Sequence, residues 1–193
     1  ELAWSEDPTD LAFVQLQGSG LLRLPNGKKM RLHFSGANGH AWRSVARYLI
    51  ERGEIPSYTD SLSLFRYIRS QPEKRKYEIL QVSPRYGFFS VGREGSGPYG
   101  GIGVPLTTGR SIAVSREMPK GCLAFFITRH PVADDAGNIT GYAPARRFAL
   151  TQDAGAAINN PGRVDIFWGE GNRAAVEASH MMESGQLYFL LLK

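Results

Sequence analysis

The sequence predicts a β-rich protein in two parts: a β-hairpin with a small helical cluster, followed by a β-barrel. Three observations predict this fold. Alternating apolar residues and a turn open the chain, and helical stripes of apolar residues fill the remainder of the first half. Five short apolar runs separated by Pro, Gly, Asp and Asn then follow a glycine-rich segment. Apolar residues make up 42% of the chain, which is ample for a packed core.

The first predicted element is a β-hairpin in LAFVQLQGSGLLRLPNGKKMRLHF. Its side chains Phe13, Gln15 and Gln17 alternate with Val14 and Leu16, and this period of two is typical of a strand. The tripeptide PNG supplies a tight turn before the second strand. We therefore expect two strands joined by this turn.

Three short helices are predicted next. In ANGHAWRSVARYLIERG, the apolar residues Trp42, Val45 and Leu49 share one helical face, with Asn38 as the expected N-cap and Gly53 as the C-terminal stop. The segment TDSLSLFRYIRSQP repeats this design and ends at a proline. A third helix, PEKRKYEILQVSP, is bounded by prolines on both sides.

The glycine-rich stretch VGREGSGPYGGIG at 91–103 is predicted to be a linker or surface loop at a domain boundary. Beyond it, the predicted strands are RSIAVS, CLAFFIT, RRFALTQD, RVDIFWG and QLYFLLL. One helix, NRAAVEASHMMESG, is expected to continue through Met181 and Met182 and to end before Gly185. Five short strands with one helix predict a closed or nearly closed β-barrel.

Composition restricts the class of function. The net charge of +5 suits a polyanionic partner, but the basic residues are spread in ones and twos, which disfavours nucleic-acid binding. No apolar run reaches the ~18 residues of a membrane-spanning helix. A single cysteine, Cys122, excludes an internal disulfide framework, and the scattered histidines lack metal-binding spacing. We therefore expect neither a metal nor a cofactor.

Two aspartates in TQDAGAAINNPGRVDIFWGEG are the candidates for chemistry. Strand alternation places Arg163, Asp165 and Phe167 on one face, and an aspartate flanked by aromatics is expected to be partly desolvated, which favours its proton-donating form. The alternative is a solvent-facing Asp165 or a salt bridge with Arg163, and the residues alone do not decide. Asp153 is expected to hold the small-residue loop by accepting backbone N–H bonds. Two converging acids favour a carbohydrate-cleaving site.

Several motifs resemble one known family. VQLQGSGLLRLPNGKKMRLHFSGANGHAWRSVARYLIERGEI resembles the signature region of the membrane-bound lytic murein transglycosylase A (MltA) family. VPLTTGRSIAVS and TQDAGAAI…GRVDIFWGEG are similar to its C-terminal three-aspartate domain. The resemblance covers nearly the whole chain in order. It implies a double-psi β-barrel and a β-rich insert domain with a few short helices, arranged around a large groove.

The resemblance also implies a division of the chain. Residues 1–96 would form the MltA-specific insert domain, and residues 97–193 would form the C-terminal half of the double-psi β-barrel. An N-terminal region of the family that completes this barrel is absent from the sequence, which is therefore expected to be a segment of a longer protein.

The resemblance assigns catalysis to one aspartate, which is Asp165 here, and the second motif aspartate is Asp153, which would anchor the loop or polarise a sugar hydroxyl. In a groove that holds sugar rings, the candidate binding residues are Gln17, Gly18, Ser19, Gly20, Asn38, His40, Tyr99 and Phe167. Helix capping is the alternative role for Asn38, and burial in the core is the alternative for the aromatic side chains. Trp168 is a further stacking candidate.

Three features depart from the family pattern. Ser115 stands where the first of the three aspartates is expected, and Asn159 replaces a lysine in the small-residue loop GAAINN. The loop also carries an extra residue before Asp165. We expect these departures to affect loop details and subsite preference more than activity.

The implied reaction cleaves the β-1,4 bond between N-acetylmuramic acid and N-acetylglucosamine in peptidoglycan glycan strands, giving a 1,6-anhydro product. Because the attacking C6 hydroxyl belongs to the substrate, one acid can act as donor and then as base. The implied enzyme is a monomer on the periplasmic side of the bacterial outer membrane, attached only through an N-terminal lipid anchor that the sequence lacks. The alternative is a non-catalytic glycan-binding module of the same barrel type.

Overall fold

The structure, a computed structural model, describes residues 1–92, 97–155 and 158–191. The chain divides into two compact units, Glu1–Pro98 and Tyr99–Lys193. Parts of three predicted features lie outside the described residues: the glycine-rich linker at 93–96, the small-residue loop at 156–157 and the end of the last apolar run at 192.

Unit 1 begins with a helix, α1 (Pro8–Gln17), where the sequence predicts a strand. The Asp7 carboxylate caps this helix by accepting the Thr9 N–H at 2.9 Å, and Pro8 occupies the first helical position. Gly18 ends the helix in the left-handed conformation, with φ of 74°. These end signals outweigh the alternation of apolar residues, so the predicted strand over residues 13–17 is wrong.

The predicted hairpin is confirmed from Ser19 onward. Strands β1 (Ser19–Arg23) and β2 (Lys29–Ala37) pair antiparallel, and Gly27 adopts φ of 79° in the turn between them. The sequence does not predict the third strand, β3 (Gly87–Val91), which pairs antiparallel with β2. The sheet order is β1-β2-β3.

All three predicted helices of unit 1 are present as α2 (Val45–Glu51), α3 (Ser61–Ser70) and α4 (Glu73–Leu80). Their buried residues Leu49, Leu64, Ile68 and Ile79 form one apolar core together with Ile55 of the α2–α3 connection. The predicted start of α2 is wrong, because Ser44 caps this helix by accepting the Arg47 N–H at 3.1 Å. Trp42 therefore lies before the helix and is exposed.

Unit 2 contains the five predicted strands and the predicted helix. The strands are β4 (Ser111–Val114), β5 (Leu123–Ala133), β6 (Ile139–Ala154), β7 (Asp165–Ile166) and β8 (Gln186–Phe189). They form one sheet in the order β7-β4-β6-β5-β8, in which only β4 and β6 are parallel. The helix α5 (Asn172–Ser179) is shorter than predicted, and the two methionines lie beyond it.

The sheet of unit 2 buries one face. Its core side chains are Ile112, Val114, Ala124, Phe126, Ala145 and Ala149. Among the described residues the sheet is open, with β7 and β8 at its edges, so these strands form a partial barrel and the expected closure is not reached within them. The β-rich fold class with a few short helices is confirmed.

Candidate active site

The two candidate acids lie in register with the same residue of the strand between them. Asp153 of β6 pairs with Ala113 of β4, and Ala113 also pairs with Asp165 of β7. Since neighbouring strands lie about 4.8 Å apart, the two aspartate Cα atoms are about 10 Å apart. Ala113 sits between the fully buried Ile112 and Val114, so the row Asp153-Ala113-Asp165 lies on the face opposite the core.

Asp165 forms a bidentate ion pair with Arg163. The Arg163 Nε and Nη2 atoms donate to Asp165 Oδ1 and Oδ2 at 2.9 and 3.0 Å. The two side chains are 50% and 47% exposed, respectively. The hydrogen bond to Asp165 raises the pKa of the Arg163 guanidinium. Of the two alternatives left open by the sequence, the structure therefore shows the half-exposed Asp165 in an ion pair with Arg163 and not a desolvated acid.

Asp153 holds a glycine-rich turn. Its Oδ1 atom accepts the backbone N–H groups of Gly101 and Ala154, each at 2.8 Å. The turn is closed by the Gly103 N–H, which donates to the Gly100 carbonyl at 2.9 Å. A Cβ atom at Gly100 would lie 2.2 Å from the Gln152 carbonyl oxygen, so only glycine fits there. Asp153 accepts backbone N–H bonds as expected, but its described donors are Ala154 and Gly101 of the glycine-rich segment, and part of the small-residue loop that it was expected to hold lies outside the described residues.

The aromatic candidates differ in exposure. Tyr99 starts the glycine-rich turn, forms a β-bridge with Pro105 and is 42% exposed. Phe167 is half-buried, and its N–H donates to the Ser111 carbonyl at 2.9 Å, which continues the pairing with β4. Trp168 is half-buried beside His130, with 5.9 Å between ring centroids. Tyr99 is therefore the most accessible of the three rings.

Ser115, which occupies the position of the first family aspartate, lies in a closed turn after β4. Its side chain is 3% exposed, and its hydroxyl has no hydrogen-bond partner within the part of the chain that the structure describes. The Lys120 ammonium closes this turn by donating to the carbonyls of Ser115, Arg116 and Met118 at 3.3, 2.6 and 2.9 Å. No carboxylate is needed to hold the turn, because the lysine satisfies its carbonyl groups.

In unit 1, the two glycines of QGSG have structural roles. Gly18 ends α1, and its carbonyl accepts the Phe34 N–H at 2.9 Å. A Cβ atom at Gly20 would lie 3.0 Å from Val14 Cγ2, so this glycine allows α1 to pack against β1. Gln17 is exposed and Ser19 is half-buried. Only these two residues of the motif offer side chains to a ligand.

Asn38 connects two loops instead of capping a helix. Its Nδ2 donates to the Pro84 carbonyl at 2.9 Å, and its Oδ1 accepts the N–H groups of Tyr86 at 3.0 Å and His40 at 3.3 Å. His40 is exposed beside it. The predicted capping role of Asn38 is therefore wrong, and its amide instead fixes the loop that carries His40.

Two contacts of the site were not found from the sequence. The sequence predicts a linker or surface loop for the glycine-rich segment, and its turn at 100–103 packs against the end of β6. No motif in the sequence indicates that Lys120 holds the turn after β4; the sequence shows only that this lysine follows a predicted strand.

Residues 1–92, 97–155 and 158–191 offer neither a metal site nor a membrane-spanning helix. In these ranges, no group of three or more His, Cys, Asp or Glu side chains could hold a metal ion. No helix in the same ranges is both long and apolar enough to cross a bilayer.

Two family models match the chain. The MltA specific insert domain matches residues 1–90, and the 3D domain matches residues 110–191. Membrane-bound lytic murein transglycosylase A of Escherichia coli K12 is 30% identical over 195 residues, which cover 98% of this chain and 51% of the relative. The Vibrio cholerae protein of the same name is 27% identical, covering 100% of this chain and 52% of the relative. The chain thus spans about half the length of these curated relatives.

Solved structures are similar over the same extent. MltA from Neisseria gonorrhoeae is 33% identical with a TM-score of 0.81, covering 97% of this chain and 46% of that one. The membrane-bound lytic murein transglycosylase from Agrobacterium tumefaciens is 32% identical with a TM-score of 0.82, covering 99% and 52%. E. coli MltA with bound chitohexaose is 27% identical with a TM-score of 0.81, covering 97% and 55%. The chain belongs to the family of membrane-bound lytic murein transglycosylase A.

Proposed function

We propose that the chain carries the catalytic acid of a peptidoglycan lytic transglycosylase. The observation that carries this proposal is the row Asp153-Ala113-Asp165, in which two acids share the face opposite the core. The MltA and 3D domain matches on both sides of the glycine-rich segment support the proposal. So does the relative that was crystallised with chitohexaose, a chain of β-1,4-linked sugars.

The reaction requires one group that gives and then accepts a proton. Protonated Asp165 donates to the glycosidic oxygen as the C1–O bond breaks, and the C6 hydroxyl of the same muramoyl unit forms the new bond to C1. The proton released from O6 returns to Asp165, so no water is consumed. In a hydrolase, a second carboxylate activates a water molecule or attacks C1 itself. Here the nucleophile is tethered within the substrate, so its high effective concentration makes the second carboxylate unnecessary.

Asp153 has a positioning role in this proposal. Its bond to the Gly101 N–H fixes the turn that begins beside Tyr99, whose exposed ring offers a stacking surface to a sugar face. A Tyr99→Ala variant is expected to bind chitohexaose more weakly by isothermal titration calorimetry, and unchanged affinity would remove this contact. Further proposed sugar contacts are Gln17, Ser19, Asn38, His40 and Phe167.

The division of the chain follows the family. We propose residues 1–96 as the insert domain and residues 97–193 as half of the double-psi barrel. The outer face of the sheet in unit 2 supports this, because Leu123, Phe148, Leu150 and Tyr188 are 40–52% exposed there. In the full-length protein, a further segment would cover them. Limited proteolysis of the full-length protein tests the division, and the first products are expected to separate the two units, Glu1–Pro98 and Tyr99–Lys193.

We further propose a monomer at the periplasmic face of the outer membrane, with any lipid anchor outside this sequence. The curated relatives are named membrane-bound. Fractionation of cells that produce the full-length protein tests the location, and recovery in the inner membrane would contradict it.

The decisive experiment compares the Asp165→Asn variant with the unchanged chain on purified murein sacculi. We expect release of 1,6-anhydro muropeptides to fall by at least about 100-fold, because the proton donor is lost, while glycan binding is retained. Asp135→Asn, at an exposed position in the β5–β6 turn, is the matched control and is expected to leave release unchanged. Near-normal release by the Asp165 variant would refute the proposed role.

A non-catalytic glycan-binding module is the second candidate. The Arg163–Asp165 ion pair favours it, because each oxygen of the carboxylate accepts a hydrogen bond from the guanidinium and neither is open to a leaving group. This candidate predicts that the chain binds chitohexaose but releases no 1,6-anhydro product from murein sacculi at any pH.

A further inference from the structure

The positive charge of the protein is concentrated in one segment of unit 1. Residues 11–50 contain six Lys or Arg residues and no Asp or Glu, so this segment carries a net charge of +6. The whole chain carries +5, and the remaining residues together therefore carry −1. The segment contains the hairpin of β1 and β2, so the hairpin lies in the part of the chain that attracts an anionic partner.

The hairpin places three of these cations on one face of the sheet. Arg23 of β1 pairs with Lys29 of β2, and Arg31 lies two residues beyond Lys29 on the same face. Gly20 and Leu32, which pair with each other, lie on the opposite face, where α1 packs and Leu32 is buried. The cations therefore lie on the face that α1 does not cover.

Arg23 and Lys29 stand directly opposite each other, and like charges in this arrangement destabilise a pair of strands. Both residues are exposed, and within residues 1–92, 97–155 and 158–191 neither forms an ion pair. None of the strands β1, β2 and β3 contains an Asp or Glu residue that could offset the repulsion. An anion bound between the two cations would offset it.

The next side chain on this face, His33, lies in a positive environment. Burial lowers the pKa of His33, and the positive charge of Arg31 lowers it further. The residues that pair with His33 are uncharged, Ser19 on β1 and Ser90 on β3. Neither neighbouring strand therefore supplies an acid that balances the positive charge of this face.

The row of side chains on this face begins at a proposed sugar contact. Ser19 is the first residue of β1, and Arg23 is the last. The strand rises by about 14 Å between them, at about 3.4 Å per residue. An extended peptide of about four residues spans the same distance. A peptide joined to a sugar at Ser19 can therefore bring its carboxylates to Arg23 and Lys29.

We propose that this face of the sheet, from Ser19 to the pair of Arg23 and Lys29, binds the carboxylates of a peptide stem that is attached to the glycan strand. Because a peptide stem belongs to the substrate of the proposed function, this role rests on that function. The row starts at a proposed sugar contact, which favours a substrate peptide over an anionic lipid surface. Arg23 and Lys29 act in binding and take no part in the chemical step.

Isothermal titration calorimetry with soluble glycan strands tests this role. One sample keeps its peptide stems, and an amidase has removed them from the other. We expect the Arg23→Gln/Lys29→Gln variant of the full chain to bind the stem-bearing strands about 5-fold more weakly, the factor for two exposed ion pairs, and with a smaller dependence on salt. Its affinity for the stem-free strands should be unchanged. Equal weakening for both samples, or for neither, would overturn the proposal.

Two further variants separate position from net charge. Arg66→Gln/Lys74→Gln removes two exposed cations from α3 and α4 of the same unit and is the matched control, which should bind both samples as the unchanged chain does. Arg23→Lys/Lys29→Arg keeps both charges and should retain the affinity for stem-bearing strands. If the control weakens binding as much as Arg23→Gln/Lys29→Gln does, net charge alone acts and the proposal is overturned.

A membrane partner is the other outcome. Cosedimentation with vesicles of phosphatidylglycerol and phosphatidylethanolamine measures it. If Arg23→Gln/Lys29→Gln loses vesicle binding but binds stem-bearing strands as before, the face serves a membrane and the proposal is overturned. None of these measurements uses turnover. If stem-bearing strands bind as expected but the unchanged chain releases no 1,6-anhydro products, the proposed function fails while the peptide-binding face stands.

Discussion

The backbone N–H of Gly101 donates to the Asp153 carboxylate at 2.8 Å, which ties the glycine-rich turn to the end of β6. This bond joins two segments that are far apart in the sequence. It places the turn after Tyr99 beside β6. Strand β6 pairs with one edge of β4, and β7, which carries Asp165, pairs with the other edge. The order of this turn and the position of the acids are therefore linked.

The Asp153→Asn variant is expected to weaken this link without removing it. The amide oxygen can still accept both N–H bonds, but the bonds lose the strength that the negative charge gives them, by about 1 kcal/mol. We expect murein turnover to fall by about 5-fold, mainly through KM, because a loss of about 1 kcal/mol corresponds to roughly that factor. Steady-state kinetics on sacculi would check this. A fall equal to that of Asp165→Asn would instead assign Asp153 a direct chemical role.

The Gly100→Ala variant is expected to disrupt the same turn by steric overlap. A Cβ atom there would lie 2.2 Å from the Gln152 carbonyl and 2.7 Å from Leu106 Cδ2, and the carbonyl cannot move without disturbing β6. We expect a loss of about 1–3 kcal/mol in the free energy of unfolding, measured by urea titration. Gly36→Ala, where nothing lies within 4 Å of an added Cβ, is the control. Equal stability of the two variants would show that the turn adapts.

The acid stability of unit 1 is expected to depend on Glu54. Hydrogen bonds from Arg75 and then Arg52 lower the pKa of Glu54 from its ordinary value of 4.5 to about 2. Since the folded state binds this proton less readily than the unfolded state, the contribution of Glu54 is fully present above about pH 4.5. It is lost as the pH falls toward about 2.

The Glu54→Gln variant should therefore lose stability at neutral pH and show a flatter decline between about pH 4.5 and 2. Thermal midpoints measured across this range by circular dichroism would check the expectation. Glu183→Gln, which removes an exposed carboxyl from unit 2, controls for the change of net charge. Parallel curves for the Glu54 variant and the unchanged chain would contradict the assigned pKa.

Element types were predictable wherever local signals agreed. The turn at PNG, the apolar stripes of α3 and α4 and the five apolar runs of unit 2 each gave the observed element. The strand predicted over residues 13–17 failed because capping by Asp7 and Gly18 decided that segment. The predicted capping role of Asn38 was wrong because its amide forms hydrogen bonds with the backbone of Pro84 and Tyr86, which are remote in sequence.

The sequence by itself determined the family and the mainly β fold and predicted the two candidate acids, because motifs and periodicity are local properties of the chain. Only the tertiary structure decided that Asp153 and Asp165 flank Ala113 in one row and that a glycine turn docks on Asp153. It also decided between the two states left open for Asp165, an ion pair and a desolvated acid. The physical reason is that strand order, register and solvent exposure arise from contacts between distant segments, which local patterns do not encode.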